Sequence, residues 1–300
     1  MDTVITSPAA AARPRIVYLY LAIVVISWAG NWPMMKLALR DAPPFDFVLI
    51  RMVGTLALMG PAMAVCRAPL LPSRGERTGL CIVGLFNVAG FLLCGIIGLS
   101  IVPAGRAIVL AYTMPLWAIP LELWLEPSRL NRMHLLGGAI GFAGLLLFMN
   151  PGLVDWSDWR VLGGNAMLIV AAICWAVGSI LYRRRAWRSG FWAQTFWQIA
   201  TSTLVIAVVA VPTLVTQPIH WSPRLVAILG YNWVVTTSLG YFLWNRVLAV
   251  MPAGIAGQVM ALTPVGGFLL SSAIFGGAVT ADIIASIALI VLGIIVTLRG

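Results

Sequence analysis

The chain alternates between long apolar segments and short breaks that carry proline, glycine or charged residues. A helix needs about 20 apolar residues to cross the hydrocarbon core of a bilayer. Ten windows approach or exceed this length: 16–36, 47–66, 78–101, 104–125, 133–150, 161–182, 190–212, 225–245, 252–275 and 281–298. The pattern predicts an all-α integral membrane protein with ten transmembrane helices, numbered 1 to 10 in this order.

The first apolar run follows Arg13 and Arg15, as in a secretory signal peptide. The apolar core of a cleaved signal is about 7–15 residues long, and the run from Ile16 to Met35 exceeds that length. We therefore interpret residues 1–15 as a cytoplasmic N-terminal tail and the run as the first spanning helix.

The amino-acid composition also indicates an integral membrane protein. Hydrophobic residues make up 61% of the 300 residues, charged residues 9%, and the mean hydropathy is +0.99. Soluble domains carry about 25% charged residues, so this chain cannot cover a water-facing surface. A net charge of +10 could indicate nucleic-acid binding, but the arginines lie between apolar runs, as in the loops of membrane proteins. We predict a lipid bilayer as surroundings and no nucleic-acid partner.

The distribution of basic residues predicts the orientation, because cytoplasmic loops are enriched in Lys and Arg. Thirteen of the 19 basic residues fall in loops on the side of the N-terminus, whereas only Arg40, Arg160 and Arg224 fall in loops on the other side. Both termini are therefore predicted to be cytoplasmic, in a multi-pass protein of a bacterial inner membrane.

The two halves of the chain repeat each other. Ser27-Trp28-Ala29 recurs as Cys174-Trp175-Ala176, and Val102-Pro103-Ala104-Gly105 recurs as Met251-Pro252-Ala253-Gly254, at offsets of 147 and 149 residues. The predicted repeats are 16–150 and 161–298, joined by an extracytoplasmic linker, 151–160. Because five helices is an odd number, the second copy must cross the membrane in the opposite sense. Inverted repeats of this kind are common in secondary transporters, which bind substrate near the midplane between the repeats.

These paired motifs resemble the EamA-type drug/metabolite transporter superfamily. Within it, the chain is similar to the aromatic amino-acid exporters of bacterial inner membranes (the YddG type). The resemblance implies export of small amphipathic metabolites, mainly aromatic and other neutral amino acids, by alternating access. It also implies a central cavity lined by helices 1, 3, 4, 6, 8 and 9. Carriers of the same fold for drugs, purines or other metabolites remain an alternative.

Polar and aromatic side chains within the predicted helices are the candidates for substrate binding, because such groups are costly in a membrane. We predict that seven of them line one cavity: Trp28, Asn31, Asn87, Arg106, Tyr112, Trp175 and Gln258. The alternative for the amides is hydrogen bonding between helices. For Arg51, one turn into predicted helix 2, snorkelling to the surface is favoured over carboxylate binding.

Pro115 and Pro264 occupy matching positions in helices 4 and 9. A proline inside a helix removes a backbone hydrogen bond and kinks the helix. We predict that both prolines mark points where the cavity walls bend during gating.

The sequence contains no motif that indicates an enzyme or a metal site. The chain contains no HExxH, GxSxG or Walker motif, and the four cysteines and two histidines have no metal-ligand spacing. We predict no enzyme activity, cofactor or metal, and a monomer or weak dimer.

No acid or histidine falls near the middle of a predicted helix. Proton-coupled carriers use such groups inside the membrane, so facilitative transport is predicted. Proton coupling remains the alternative, with Glu122 near the end of helix 4 as its candidate residue.

Overall fold

A computed structural model describes residues 14–125, 132–149, 157–275 and 280–299. Most of the predicted tail 1–15 and of the linker 151–160 lies outside these ranges. The described residues form ten helices that follow the ten predicted windows in order: α1 Pro14–Ala38, α2 Pro44–Val65, α3 Arg74–Ile101, α4 in two pieces (Ala104–Ala111 and Met114–Leu125), α5 Arg132–Met149, α6 Trp159–Arg183, α7 Phe191–Leu214, α8 Pro223–Leu248, α9 in two pieces (Ala253–Met260 and Leu262–Phe275) and α10 Ala281–Leu298.

Nine of these described helices are long and apolar enough to cross a membrane, and α5 is a shorter apolar helix. Apolar side chains also cover the outside of the bundle. On α7, for example, Leu204 and Val208 are 71% and 77% exposed. A surface of this kind is stable against lipid rather than water. The protein is thus a multi-pass membrane protein.

The two sets of five helices interlock. Helix α1 packs on α8 and α9, and the matching helix α6 packs on α3 and α4. Helices α2 and α7 pack on each other, as do α4 and α9, and α5 and α10. Each of these contacts between the halves therefore has a counterpart after α1–α5 are exchanged for α6–α10, and the centre of the bundle is built by both halves.

Two basic residues cap helix ends at matching places. The Lys36 amine, near the end of α1, donates to the carbonyls of Leu99 at 2.5 Å and Val102 at 3.2 Å. Arg183, the last residue of α6, donates to the carbonyl of Leu248 at 3.1 Å. The last carbonyls of a helix lack intrahelical partners and attract cations. The same contact thus stabilises the end of α3 in one half and of α8 in the other.

Four helices depart from regular α geometry, again in matched pairs. Helix α3 contains a π-helical stretch at Leu85–Gly90, and α8 contains one at Asn232–Leu239. Helix α4 is interrupted after Ala111 and α9 after Met260. Pro115 and Pro264 lie four residues beyond these two residues and have no N–H to bond their carbonyls. The prolines thus explain why both helices break where they do.

Glycines bring α5 and α10 into close contact. A Cβ atom on Gly293 would lie 2.5 Å from the Gly141 nitrogen and 2.6 Å from the Gly137 carbonyl oxygen. No side chain fits at that distance, so the two backbones meet directly, as small residues allow in membrane bundles.

Candidate functional site

A small cavity lies at the centre of the bundle, between the two halves. Its lining comes from α1, α2, α3, α4, α6 and α8: Trp28, Asn31, Trp32, Met35, Arg51, Phe91, Leu92, Gly95, Ile96, Tyr112, Trp175 and Tyr241. Its volume is about 30 Å³, enough for one or two water molecules. The described conformation therefore has no room for a larger solute, which needs the helices to move apart.

Aromatic rings from both halves meet at the cavity. The rings of Trp28 and Trp175, which occupy matching positions in the two repeats, lie 5.1 Å apart and nearly perpendicular, at 87°. Phe91 lies 4.8 Å and Tyr241 5.7 Å from Trp175, and Trp32 lies 6.3 Å from Tyr112. Edge-to-face packing of this kind is favourable between aromatic rings. The cavity thus offers flat apolar faces to a bound ring or apolar side chain.

The two central tryptophans differ in their polar contacts. The Trp28 indole nitrogen donates to the Thr236 carbonyl at 2.9 Å, which fixes this ring against α8. The Trp175 indole nitrogen is buried and has no hydrogen-bond partner among the described residues. Buried donors are rarely left unsatisfied, and Trp175 lines the cavity, so a bound solute is a candidate partner for this N–H.

Arg51 is the charged residue of the cavity. Its side chain is only 3% exposed, and its guanidinium contacts three neutral acceptors: Thr237 Oγ1 at 2.9 Å, Thr236 Oγ1 at 3.5 Å and Met35 Sδ at 3.7 Å. The snorkelling predicted for Arg51 is wrong. Helix α2 begins at Pro44, three residues before the predicted window, so Arg51 lies two turns inside the helix and too deep to reach the surface.

Asn31 completes the polar part of the cavity. Its amide nitrogen donates to the Met35 sulfur at 3.1 Å, and its amide oxygen is buried without a hydrogen-bond partner in the described structure. A buried acceptor without a partner costs about 1–3 kcal/mol. The site therefore combines one unsatisfied donor, one unsatisfied acceptor and a guanidinium around a space lined by aromatic rings.

Four of the seven predicted site residues, Trp28, Asn31, Tyr112 and Trp175, line this cavity. The other three lie elsewhere. Asn87 joins α3 to α6 by donating to Ser179 Oγ at 2.9 Å and to the Trp175 carbonyl at 3.3 Å. Asn87 thus supports the ring of the neighbouring helix without lining the cavity.

Gln258 and Arg106 lie outside the cavity as well. Gln258 lines a separate space of about 20 Å³ beside Pro115 and the glycines of α5. Its amide donates to the His134 carbonyl at 3.1 Å and accepts from the Thr297 hydroxyl. Arg106 is half-buried in the first turn of α4, which begins at Ala104.

Glu122 joins the two halves at one end of the bundle. This residue of α4 is buried, and its carboxylate accepts from the backbone nitrogens of Ala253 at 2.7 Å and Gly254 at 2.9 Å, at the start of α9. The first N–H groups of a helix lack partners and favour a negative charge. Glu122 thus caps α9 and holds it to α4.

The described residues contain no group of three or more His, Cys, Asp or Glu side chains that could hold a metal ion. The site is a cavity with aromatic, apolar and polar walls, lined by six helices within a bundle of ten described helices, which is the architecture of a membrane carrier.

Residues 15–150 and residues 162–299 each match the EamA-like transporter family. The chain therefore belongs to the EamA-like transporter family and carries two copies of its unit. The described fold is in turn similar to a solved protein crystal structure, with a TM-score of 0.76 and 18% identity over 94% of this chain and 96% of that one.

Several curated relatives are distant but cover most of the chain. The chain is 25% identical over 290 residues to a probable amino-acid metabolite efflux pump of Salmonella typhimurium, with 93% of each chain covered. It is 22% identical over 254 residues to a protein of the same description from Escherichia coli, with 82% of each covered. It is also 25% identical to the uncharacterized transporter YvbV of Bacillus subtilis, over 92% of this chain and 89% of that one. These relatives are named as transporters, not enzymes.

Proposed function

We propose that this protein exports small amphipathic metabolites, mainly aromatic and other neutral amino acids, from the cytoplasm. The observation that carries the proposal is the central cavity, where rings from both repeats meet beside a buried arginine. Flat rings suit apolar or aromatic side chains, and an arginine suits a carboxylate. The printed names of two relatives, probable amino-acid metabolite efflux pumps, agree with this substrate class.

Transport proceeds by alternating access between two inverted repeats. The matched contacts of α1–α5 and α6–α10 support a pseudo-two-fold relation, and an odd number of helices per repeat places its axis in the membrane plane. The cavity is too small for an amino acid in the described conformation. Solute therefore binds when one set of contacts between the halves opens, on either side in turn.

Drug cations are the main rival cargo. A cation carrier needs a negative charge in its binding site, and no acidic side chain of the described residues lines the central cavity. Arg51 there would repel a cation. We therefore favour zwitterionic or anionic solutes.

The test is counterflow in proteoliposomes. Vesicles loaded with unlabelled phenylalanine, a purine or a drug cation take up the labelled form of the same solute, and we expect accumulation only for phenylalanine and other neutral amino acids. Accumulation of the purine or the drug cation, with none of any amino acid, would assign a different cargo.

A matched pair of tryptophan variants links this activity to the cavity. Trp175→Ala removes the central ring and is expected to lower counterflow at least tenfold. Trp124→Ala removes a tryptophan that is 78% exposed on the outer surface of α4, and it should transport like the natural protein. Equal effects of the two changes would place substrate binding elsewhere.

A further inference from the structure

We infer that Arg51 and Asn31 recognise the two charged ends of an α-amino acid, Arg51 holding the carboxylate and Asn31 accepting from the ammonium group. This inference rests on the proposed function and adds the chemical features that a cargo must carry. It predicts that a solute that lacks the carboxylate or the ammonium group is a poor substrate, even if it keeps the side chain of a good one.

The charge of Arg51 is the first step. Burying an ion without a counter-charge is costly, and no acidic side chain of the described residues lines the cavity or is hydrogen-bonded to Arg51. Asp46 accepts from the Thr213 hydroxyl at 2.6 Å, and Glu122 caps α9. Among the described residues, Arg51 itself contacts only neutral acceptors, two hydroxyls and a thioether. A buried positive charge that faces a cavity without an acid is therefore suited to an anion from solution.

The donors available there match a carboxylate. A guanidinium carries five N–H groups in a planar fork that binds both oxygens of a carboxylate, and the contacts with Thr236, Thr237 and Met35 occupy three of them at most. Trp175, whose indole N–H has no partner among the described residues, lines the same cavity. These donors can bind a carboxylate among buried side chains, where charge-assisted hydrogen bonds are strong.

The position of Asn31 supplies the second half of the argument. Asn31 and Arg51 both contact the sulfur of Met35, Asn31 at 3.1 Å and Arg51 at 3.7 Å. The Asn31 amide and the Arg51 guanidinium thus contact the same sulfur atom in the same cavity lining, and the Asn31 amide oxygen has no hydrogen-bond partner among the described residues. In an α-amino acid, the ammonium and carboxylate groups are separated by a single carbon atom. An acceptor and a cationic donor at neighbouring places fit this arrangement, and the surrounding rings accept the side chain.

Arg51 also contributes to structure, because its contacts with Thr236 and Thr237 join α2 to α8. A variant that merely loosens the bundle should impair all solutes alike. The decisive readout is thus a ratio between solutes that share a side chain and differ in one charged group.

The experiment measures competition against phenylalanine counterflow in proteoliposomes. Phenylethylamine lacks the carboxylate, phenylpropionate lacks the ammonium group, and both keep the ring. For the natural protein we expect each to compete at least tenfold more weakly than phenylalanine. In Arg51→Gln, the apparent affinity for phenylalanine should fall at least tenfold, while the apparent affinity for phenylethylamine should change little. Arg51→Lys should retain part of the preference for a carboxylate.

Two further variants complete the test. Asn31→Asp introduces a negative charge where the ammonium group is placed, and it should improve competition by phenylethylamine several-fold. Thr195→Val is the control, because Thr195 is buried and bonded to Asn245 outside the cavity lining. It removes one interhelical hydrogen bond and should leave every ratio unchanged.

The outcomes separate the two proposals. If the natural protein carries no amino acid at all, the proposed function fails. If it carries phenylalanine but phenylethylamine competes equally well, this inference fails while the proposed function stands. If Arg51→Gln lowers the apparent affinity for phenylalanine and for phenylethylamine by the same factor, the role of Arg51 is structural. Should Arg51→Gln not fold, the competition ratios of the natural protein and of Arg51→Lys decide the question.

Discussion

Asp41 and Arg224 form an ion pair between the α1–α2 loop and the start of α8. Arg224 donates to both carboxylate oxygens of Asp41, at 2.8 to 3.1 Å. Ser222, which caps α8 by accepting from the Leu225 nitrogen, donates its hydroxyl to the same carboxylate at 2.8 Å. The pair thus connects a loop of the first repeat to the first turn of a helix in the second.

This contact predicts how stability depends on pH. The hydrogen bond from Arg224 is the main cause that holds the pKa of Asp41 below its ordinary value, with the Ser222 bond acting in the same direction. A lowered pKa contributes stability that is present above the unfolded-state pKa of about 3.9 and is lost as pH falls through the folded-state value. We expect the natural protein to melt at a higher temperature than Asp41→Asn at pH 7, and the difference to shrink below about pH 4.

Thermal unfolding in detergent between pH 3 and pH 7 measures this difference, because the other titrating groups are the same in both proteins. A difference between the two melting temperatures that stays constant over the whole range would contradict the role given to the ion pair.

Tryptophans and buried amides could be found from sequence, but their individual roles could not. Trp28 and Trp175 stood out because they recur at one offset, and both line the cavity. Asn87 and Gln258 have the same chemistry as Asn31 but bond to neighbouring helices. The direction in which an amide points depends on helix rotation, which a uniformly apolar sequence does not reveal. The snorkelling predicted for Arg51 is wrong because α2 begins three residues before the predicted window.

Helices α4 and α9 each contain a break that weakens the same part of each repeat. The carbonyls of Ala111 and Met260 lose the bond that Pro115 and Pro264 cannot donate. Since α4 contributes Tyr112, the residue directly after its break, to the cavity, bending at that point would change the shape of the site. We propose that these breaks flex during each transport cycle.

Pro115→Ala tests this proposal. An interior proline costs a helix about 3 kcal/mol, so alanine should raise the free energy of unfolding by up to that amount while slowing counterflow several-fold. Pro120→Ala is the control, because Pro120 lies inside the second piece of α4 and has Leu269, not proline, at the matching position. It should stabilise the protein without slowing transport. If Pro115→Ala is more stable than the natural protein but transports at the same rate, bending at this break is not part of gating.

The α5–α10 contact predicts a purely structural effect. In Gly293→Ala the added methyl group would meet the backbone of Gly141 and Gly137, and overpacking of this kind costs about 1–3 kcal/mol. Gly163→Ala on α6 is the control, because nothing lies within 4 Å of the added atom. We expect a lower melting temperature only for Gly293→Ala. The order of preference among amino acids should be unchanged in both variants, because neither glycine lines the central cavity. A changed preference would show that this contact shapes the site.

The ten helices could be predicted from hydropathy because each has to cover the same apolar thickness. The breaks in α4 and α9 followed from two prolines at matching positions. The π-helical stretches Leu85–Gly90 and Asn232–Leu239 could not be predicted, since their residues are as apolar as their surroundings and contain no proline. Such stretches depend on tertiary contacts and often occur at functional sites.

The groups that line the cavity allow a prediction of the energy source for transport. No acid or histidine of the described residues lines the central cavity, so the cargo gradient alone should drive transport. We expect proteoliposomes to reach the same internal and external concentration of phenylalanine with and without an imposed pH gradient. Accumulation above that level only in the presence of the gradient would establish proton coupling, and Glu122→Gln would then show whether this acid is responsible.

The Glu122 cap on α9 has a consequence for how the rate of the proposed export depends on the internal substrate concentration. In the proposed orientation it closes the cytoplasmic end, and the position that matches Glu122 in the second repeat is Ser271, which is neutral. A contact that must break before the cytoplasmic face can open lowers the apparent affinity on that face, because only a small fraction of molecules is competent to bind there. A passive carrier cannot favour one direction at equilibrium, so a high KM for efflux must come with a proportionally high maximal rate. The rate of efflux would then rise in proportion to the internal amino-acid concentration over a wide range, instead of saturating at a low concentration.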